Sequence, residues 1–385
     1  MTPRPYEIAV PDAVLDDLRE RLARTRWAAQ DVEPPWDAGA DVAYVRELCD
    51  YWRDGYDWRA REAELNRAPG FLAEVGGVDV HFWHVRGNGP SPVPLLLLHG
   101  WPGSMAEFVP VIGPLTDPAA HGGDPADACD VVVAGLPGFG FGGKPREPGW
   151  GITRMADAFH QLMSEQLGYE RYGVQGGDWG MFIGARLAAS QPQHVLGLHL
   201  NFVMGRAQLH ESELPEPQDE AEQRAVARRR AFGAEESAYS LVQGTKPISL
   251  GIAQEDSPAG LVAWLVEKLR TWSDCEGDVE SVFTKDQILT NAMFYWAPQS
   301  VASAARIYRE ARRDHLGLHP PRVEVPTAVA AFPADILPAP RRWVEPHYNL
   351  VRWTDMPRGG HFPATEQPER LVDDVRAFFR GLRAS

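Results

Sequence analysis

The chain has 385 residues, with 38 Lys and Arg against 53 Asp and Glu, a formal net charge of −15, 44% hydrophobic residues and 24% charged ones. That composition excludes a disordered chain, and the acidic balance argues against binding to nucleic acid or an anionic membrane, which need clustered Lys and Arg. The three cysteines, Cys49, Cys129 and Cys275, are odd in number and far apart; this is neither a disulfide framework nor a zinc spacing, and a metal-free, cofactor-free protein of the reducing cytoplasm is the simplest expectation.

The N-terminal stretch has no apolar signal-like core. The strongest apolar run, Pro94 to Leu98, falls far short of the ~20 residues of a membrane span and reads as a buried strand. Residues 1–75 read as helical and polar. Val14, Leu15, Leu18, Leu22 and Trp27 repeat with a 3.6-residue period, and a second helix is expected from about Val42 to Arg53. From Val75 strands alternate with helices: VDVHFWHV, PLLLLH and DVVVAGL, a helix from about Ile152 to Leu167, strand RYGVQ, a helix from about Met181 to Ser190, and strand VLGLHL. Short apolar strands alternating with helices predict a mostly parallel sheet covered on both faces. The alternation stops near Val203, and the sequence from about Gly205 to Arg309 is charged and helical. Strands resume in PTAVAAF and YNLVRWTDM, and a helix from about Gln367 to Leu382 closes the chain. The expected organisation is an N-terminal extension (1–75), an α/β core in two halves (76–204 and 310–385) and a helical cap between them (205–309).

The strongest chemical signal is Gly176-Gly177-Asp178-Trp179-Gly180, which follows strand RYGVQ and precedes a helix. Small-x-nucleophile-x-small at a strand-to-helix turn is the elbow of α/β-hydrolases, with Asp where most such elbows hold Ser. A helix-capping Asp after a Gly-Gly turn has the same local signature, so the neighbours decide. His99-Gly100-Trp101-Pro102-Gly103-Ser104 follows the buried strand PLLLL, where this fold draws one oxyanion-hole N–H, the other coming from the residue after the nucleophile. Those donors would be the backbone N–H groups of Trp101 and Trp179. Asp335 ends a strand in Phe332-Pro333-Ala334-Asp335, and His361 lies in a loop before the last helix. The chain order nucleophile, acid, base is that of the fold.

On these residues, and on DWRAREAELN, GLPGFGFGGKP, DSPAGLVAWLVEKLRTW, FYWAPQSVASAARIY and PRGGHFPATEQPE, the sequence resembles the epoxide hydrolases of the α/β-hydrolase superfamily, in the branch similar to microsomal epoxide hydrolase. The resemblance runs over nearly the whole chain. It implies Asp178 as nucleophile, Asp335 as relay acid, His361 as base, and two cap tyrosines, Tyr239 and Tyr308, that donate to the epoxide oxygen. Membrane-bound relatives carry an N-terminal anchor; this sequence reads as starting at the soluble region, and a protein that is not membrane-integral is expected. Other relatives place the acid where Asn201 stands, which cannot ionise.

The implied chemistry suits the residue types. A carboxylate with an ordinary pKa of about 3.9 is ionised without a base and can open an epoxide by in-line attack. The departing alkoxide is strongly basic, and a phenol with pKa near 10 stays protonated to meet it. His361 then activates water against the resulting ester, giving a vicinal diol. A haloalkane dehalogenase uses the same Asp, acid and His, and a non-catalytic ligand-binding homologue is a third reading. The intact Asp178, Asp335, His361 and both tyrosines argue against the last, and the cap tyrosines and the N-terminal region against the former.

The remaining motifs read as structural. Gly138 to Gly143 matches a dinucleotide pattern, but Pro145 stands where a P-loop needs Ser or Thr and no helix follows at once, so the loop reads as a site wall. His81 and His84 point to opposite faces of one strand. Asp355 reads as a strand-end carboxylate, and Arg228-Arg229-Arg230 as a solvated helix face. The cap is rich in aromatics (Phe232, Trp264, Trp272, Phe283, Phe294, Tyr295, Trp296). Trp101, Trp179 and Phe294 are the expected substrate contacts, for a bulky, aryl-bearing epoxide. Soluble bacterial relatives serve detoxification or natural-product pathways, enediyne biosynthesis included. The oligomeric state, a homodimer among the options, is open.

Overall fold

The computed structural model describes residues 2–28, 34–204 and 216–383. Among them, strands β1 (Arg4–Pro5), β2 (Gly70–Val75), β3 (Val78–Val85), β4 (Val93–Leu98), β5 (Cys129–Ala134), β6 (Tyr172–Gly176), β7 (Val195–Leu200), β8 (Val323–Ala331) and β9 (Tyr348–Asp355) form one sheet. Its order is β1-β2-β3-β5-β4-β6-β7-β8-β9. The β1, β2, β3 and β5 contacts are antiparallel, and every pairing from β5 to β9 is parallel. All six residues of β5 are buried, as a central parallel strand covered on both faces requires, and this is why it reads as a continuous apolar run.

The strand order places the site. From β4 the chain steps to β5 on one side, then crosses to β6 on the other, so β4 and β6 flank the point where the winding reverses. Ligands bind outside the carboxyl ends of strands at such a point. Leu98, the last residue of β4, pairs with Gly176, the last of β6. The loop holding Trp101 and the turn holding Asp178 therefore leave the sheet side by side.

Two expectations need correction. The N-terminal stretch contains helices Asp12–Ala23, Val42–Asp54 and Trp58–Leu65, but also β1 and β2. These strands are two and six residues long, and they owe their conformation to pairing, β1 on β2 and β2 on β3, rather than to a pattern of their own. The helix expected from Met181 begins at Asp178, because the turn residues Asp178 to Gly180, read as a loop, already form its first turn.

Between β7 and β8 the described residues are helical, in segments Glu220–Ala231, Ala238–Thr245, Pro247–Asp256, Pro258–Trp272, Lys285–Trp296 and Val301–Ala311. The start of this insertion, 205–215, lies outside the described residues. The N-terminal helices tie it down: Arg21 meets Asp256 at 2.6 Å, Tyr51 donates to Asp286 at 2.7 Å, Tyr56 and Thr290 share a hydrogen bond of 2.9 Å, and Lys285 pairs with Glu47 at 3.0 Å. The Arg228 to Arg230 run is not simply a solvated face. Arg228 donates to the carbonyls of Pro333 (2.9 Å) and Ala334 (2.8 Å), fastening the insertion to the loop that carries Asp335. No helix among the described residues is long and apolar enough to cross a membrane.

The closing helix, Pro368–Arg383, docks through Asp374. Its buried carboxylate contacts His199 Nε2 at 3.0 Å and accepts from Arg352 Nε at 2.8 Å and Thr354 at 2.7 Å. Burial pushes this carboxyl up, but those partners outweigh burial and hold it well below the usual range. Its stabilising contribution is therefore present above the ordinary carboxylate pKa and lost as pH falls through the lowered one. Asp374→Asn is expected to cost about 3–5 kcal/mol, the loss typical of breaking a buried ion pair, measured by urea unfolding at neutral pH. A change within ~0.5 kcal/mol would show that the cluster is not holding the helix.

Candidate active site

Asp178 is the first residue of its helix, with Gly177 at the cap position. Its φ of +45° lies where residues with a side chain are rarely found. Close packing holds this conformation. A Cβ on Gly180 would stand 2.1 Å from the Leu98 carbonyl oxygen, and one on Gly100 would stand 2.0 Å from Asp178 Oδ1. The glycines thus let strand, helix and loop approach around one carboxylate. Trp101 N–H donates to Asp178 Oδ1 at 2.8 Å. Trp179, second in the helix, has an N–H with no intrahelical acceptor, as in the first turn of any helix.

On the other side of the carboxylate stands His361. Its Nε2 is 3.4 Å from Asp178 Oδ2, and its Nδ1 is 2.7 Å from Asp335 Oδ1. Burial pushes the imidazole pKa down, but the Asp335 charge and the adjacent Asp178 carboxylate overcome it and raise the group to about 10. The ring thus sits between Asp178 and Asp335, which together favour its protonated form. Its loop is clamped at several points: Glu366 accepts backbone N–H bonds from Asp274, Gly360 and Phe362, Asp274 accepts one from Gly359, and His361 N–H donates to the Trp272 carbonyl. Asn201 accepts from Gln175 at 2.7 Å, and the carboxylate on His361 is that of Asp335.

Tyr239 and Tyr308 reach the same place from helices Ala238–Thr245 and Val301–Ala311. Their ring centroids are 5.7 Å apart. Trp101 stacks on Tyr239 at 5.1 Å and 11°, and Trp179 meets Tyr308 edge-on at 4.7 Å. Burial, with the Asp178 charge adding to it, raises both phenols above their ordinary value, so both keep their protons. The fold thus brings Asp178, Asp335, His361, Tyr239, Tyr308, Trp101 and Trp179 together.

Phe294 is the exception. Its ring packs on Trp83 and Phe141, on the wall formed by β3 and the glycine loop, so the expected substrate contact is a packing residue here. The glycine loop itself carries Gly138, whose carbonyl accepts from Ser303 at 2.6 Å. His81 is buried and His84 half-buried with Tyr169 as partner, and Asp355 accepts from Trp353 at the end of β9.

The sequence reading missed one neighbour, Glu107, and had a second, Trp272, only as one of the cap aromatics. Trp272 packs against Tyr239 at 5.1 Å and His361 at 5.3 Å. Glu107 lines a cavity of about 20 Å³ together with Asp178, His361 and Asn201. That is room for one water among several polar partners. Burial, reinforced by Asp178 and opposed by His361, raises the Glu107 carboxyl to about 8. A larger cavity of about 530 Å³ shares Gly103, Glu107 and Phe362 with the small one and reaches Arg61 and Leu65 of the N-terminal segment.

Chemically, this is a carboxylate with one oxygen already held by an N–H and the other beside an imidazole, facing two protonated phenols and a one-water pocket. Comparison with known proteins identifies the family. Residues 3–108 match the family described as epoxide hydrolase N terminus, and residues 93–224 match the alpha/beta hydrolase fold. A Stigmatella aurantiaca protein named as an epoxide hydrolase is 42% identical over 99% of this chain and 85% of its own length. Epoxide hydrolase 1 of Oryctolagus cuniculus is 35% identical over 97% of this chain and 88% of its own. Among solved structures, juvenile hormone epoxide hydrolase of the silkworm Bombyx mori superposes with a TM-score of 0.89 at 30% identity, covering 100% of this chain and 95% of that one. The Aspergillus niger epoxide hydrolase gives 0.87 at 31%, covering 99% and 97%.

Proposed function

The chain belongs to the epoxide hydrolases of the alpha/beta hydrolase fold, and from that membership we propose that it works through a covalent ester on Asp178. Asp178 Oδ2 attacks an epoxide carbon, the ring C–O bond breaks, and the oxygen that leaves takes a proton from Tyr239 or Tyr308. The ester is neutral, so His361 loses one of its two anionic partners. Its pKa falls, and its proton returns to the phenolate. The neutral imidazole then takes a proton from the water beside it as that water attacks the ester carbon. Charge gathers on Oδ1, where the N–H groups of Trp101 and Trp179 receive it; losing one such donor costs roughly 3–4 kcal/mol in other hydrolases. The ester C–O bond then breaks, the departing alkoxide takes the proton of the hydroxyl that water added, and the diol leaves with Asp178 again a carboxylate.

The observation that carries this reading is the division of the Asp178 carboxylate, one oxygen on the Trp101 N–H and the other on the imidazole. The walls are Trp101, Trp179, Trp272 and the two tyrosines, which suits a bulky or aryl-substituted epoxide, of the kind met in clearance of reactive compounds or in natural-product tailoring. The test is one turnover of excess enzyme on styrene oxide in ¹⁸O-water. Label is expected in Asp178 and not in the first diol, because the oxygen delivered to substrate comes from the carboxylate. Label in that diol would mean direct attack by water. Propylene oxide run alongside is expected to give the lower kcat/KM, and halide release from a haloalkane would move the chemistry to dehalogenation.

A further inference from the structure

Helix Pro258–Trp272 presents two residues to Tyr239, four positions apart and so on one face. One is Trp272. The other is Lys268, a lysine only 6% exposed. Its Nζ lies 5.3 Å from the centroid of the Tyr239 ring, 3.0 Å from Glu236 Oε2 and 2.8 Å from Glu267 Oε2. A lysine this buried is uncommon. A buried ion pair is on average no more stabilising than apolar residues of the same volume, so stability alone does not explain it. What sets Lys268 apart is its third neighbour, the ring of a phenol that must release a proton.

We propose that Lys268 is a positioning residue for Tyr239: its ammonium, seated over the phenol ring, offsets the carboxylates of Glu236 and Glu267 and lets Tyr239 donate to the opening epoxide. The inference rests on the reading of Tyr239 as that donor. The groups acting on Tyr239 have opposing signs. Burial, Asp178, Glu236 and Glu267 all hold its proton in place, while the hydrogen bond with Tyr308 favours release. Negative charge develops on the phenol as its proton moves to the epoxide oxygen. A cation on the ring face meets that charge directly, and does so best where water is absent. Glu267, 2.8 Å from Nζ, holds the ammonium over the ring rather than letting it turn to solvent.

The test separates ring opening from ester hydrolysis by single-turnover kinetics, following the fluorescence of the tryptophans that line the site. Lys268→Met is expected to slow ring opening about tenfold, the scale of a desolvated cation–π contact, and to leave ester hydrolysis unchanged. Lys268→Arg, which keeps the charge, is expected to restore it. Glu236→Gln removes an opposing charge and is expected to leave ring opening as fast or faster. In a Tyr239→Phe background Lys268→Met is expected to have less than about a twofold effect, since coupled residues lose their coupling when one is gone. The proposal is overturned if Lys268→Met costs the same factor in that background, or if Glu236→Gln slows ring opening as Lys268→Met does, for then the cluster is only structural. Should Lys268→Met fail to fold, the Arg and Glu236 variants decide. Unaltered ring opening in Tyr239→Phe alone would instead remove the donor role beneath the proposal.

Discussion

With His361 replaced by alanine, the enzyme is expected to take up one equivalent of epoxide on Asp178 and then stop. The first step needs a carboxylate, which is ionised without help, and the Trp101 N–H that holds its Oδ1 remains in place. The second step needs a base beside the water pocket, and His361 Nε2, 3.4 Å from Asp178 Oδ2, is the group placed to provide it. Turnover should fall by about 10⁴–10⁶, the range found when a member of a catalytic triad is deleted. Intact-mass spectrometry after mixing with styrene oxide should show one added substrate mass, absent when Asp178 is also changed to alanine. Sustained diol production without an adduct would sink the ester mechanism. In the wild type the same geometry sets a pH dependence. The resting imidazolium has a pKa of about 10 because two carboxylates face it, and the ester removes one of them. Hydrolysis of the ester should therefore rise with pH and level off below pH 10, while ester formation should show no such rise.

The second large effect concerns the phenols. Tyr239→Phe with Tyr308→Phe is expected to slow ring opening by about 10²–10⁴, the contribution of a placed general acid. Each single change should cost less, because the two rings lie side by side and either hydroxyl can meet the departing oxygen. An ester already formed should hydrolyse at the wild-type rate once His361 is neutral, since the attack of water uses His361 and not the tyrosines. Rapid-quench measurement of ester and diol separates the steps. Equal slowing of both steps would mean that the tyrosines support the site rather than act on the epoxide.

The sequence made the central strands and the triad order legible for different reasons. β4 and β5 are buried on both faces, so burial writes itself as an unbroken apolar run. Asp178 is legible because its strained turn demands glycines at fixed offsets, and these survive as a pattern in the chain. β1 left no such trace, since its two residues are held by β2, far along the chain, and β2 is legible only as the first arm of the hairpin it makes with β3 across Gly76-Gly77. Glu107 was hidden by its own neighbourhood: Ser104-Met105-Ala106-Glu107 reads as an ordinary helix start, and Ser104 does cap the turn, accepting from Ala106. Only the third dimension turns that carboxyl toward His361. Phe294 shows the opposite limit. An aromatic count identifies a wall, but which of Phe294 and Trp272 faces the nucleophile depends on the helix rotation set by partners elsewhere.

The ties between the N-terminal helices and the insertion bear on timing. Tyr51 to Asp286, Tyr56 to Thr290, Arg21 to Asp256 and Lys285 to Glu47 anchor the insertion on one side, and Arg228 anchors it to the Asp335 loop on the other. A roof held on two sides does not swing as a hinge. Under the proposed mechanism, substrate and diol are therefore expected to exchange by displacement of individual side chains, and an ester on Asp178 is expected to be shielded from dissolved amines and thiols that would otherwise cleave it. Its lifetime is then expected to follow an internal water instead of the composition of the surrounding solution.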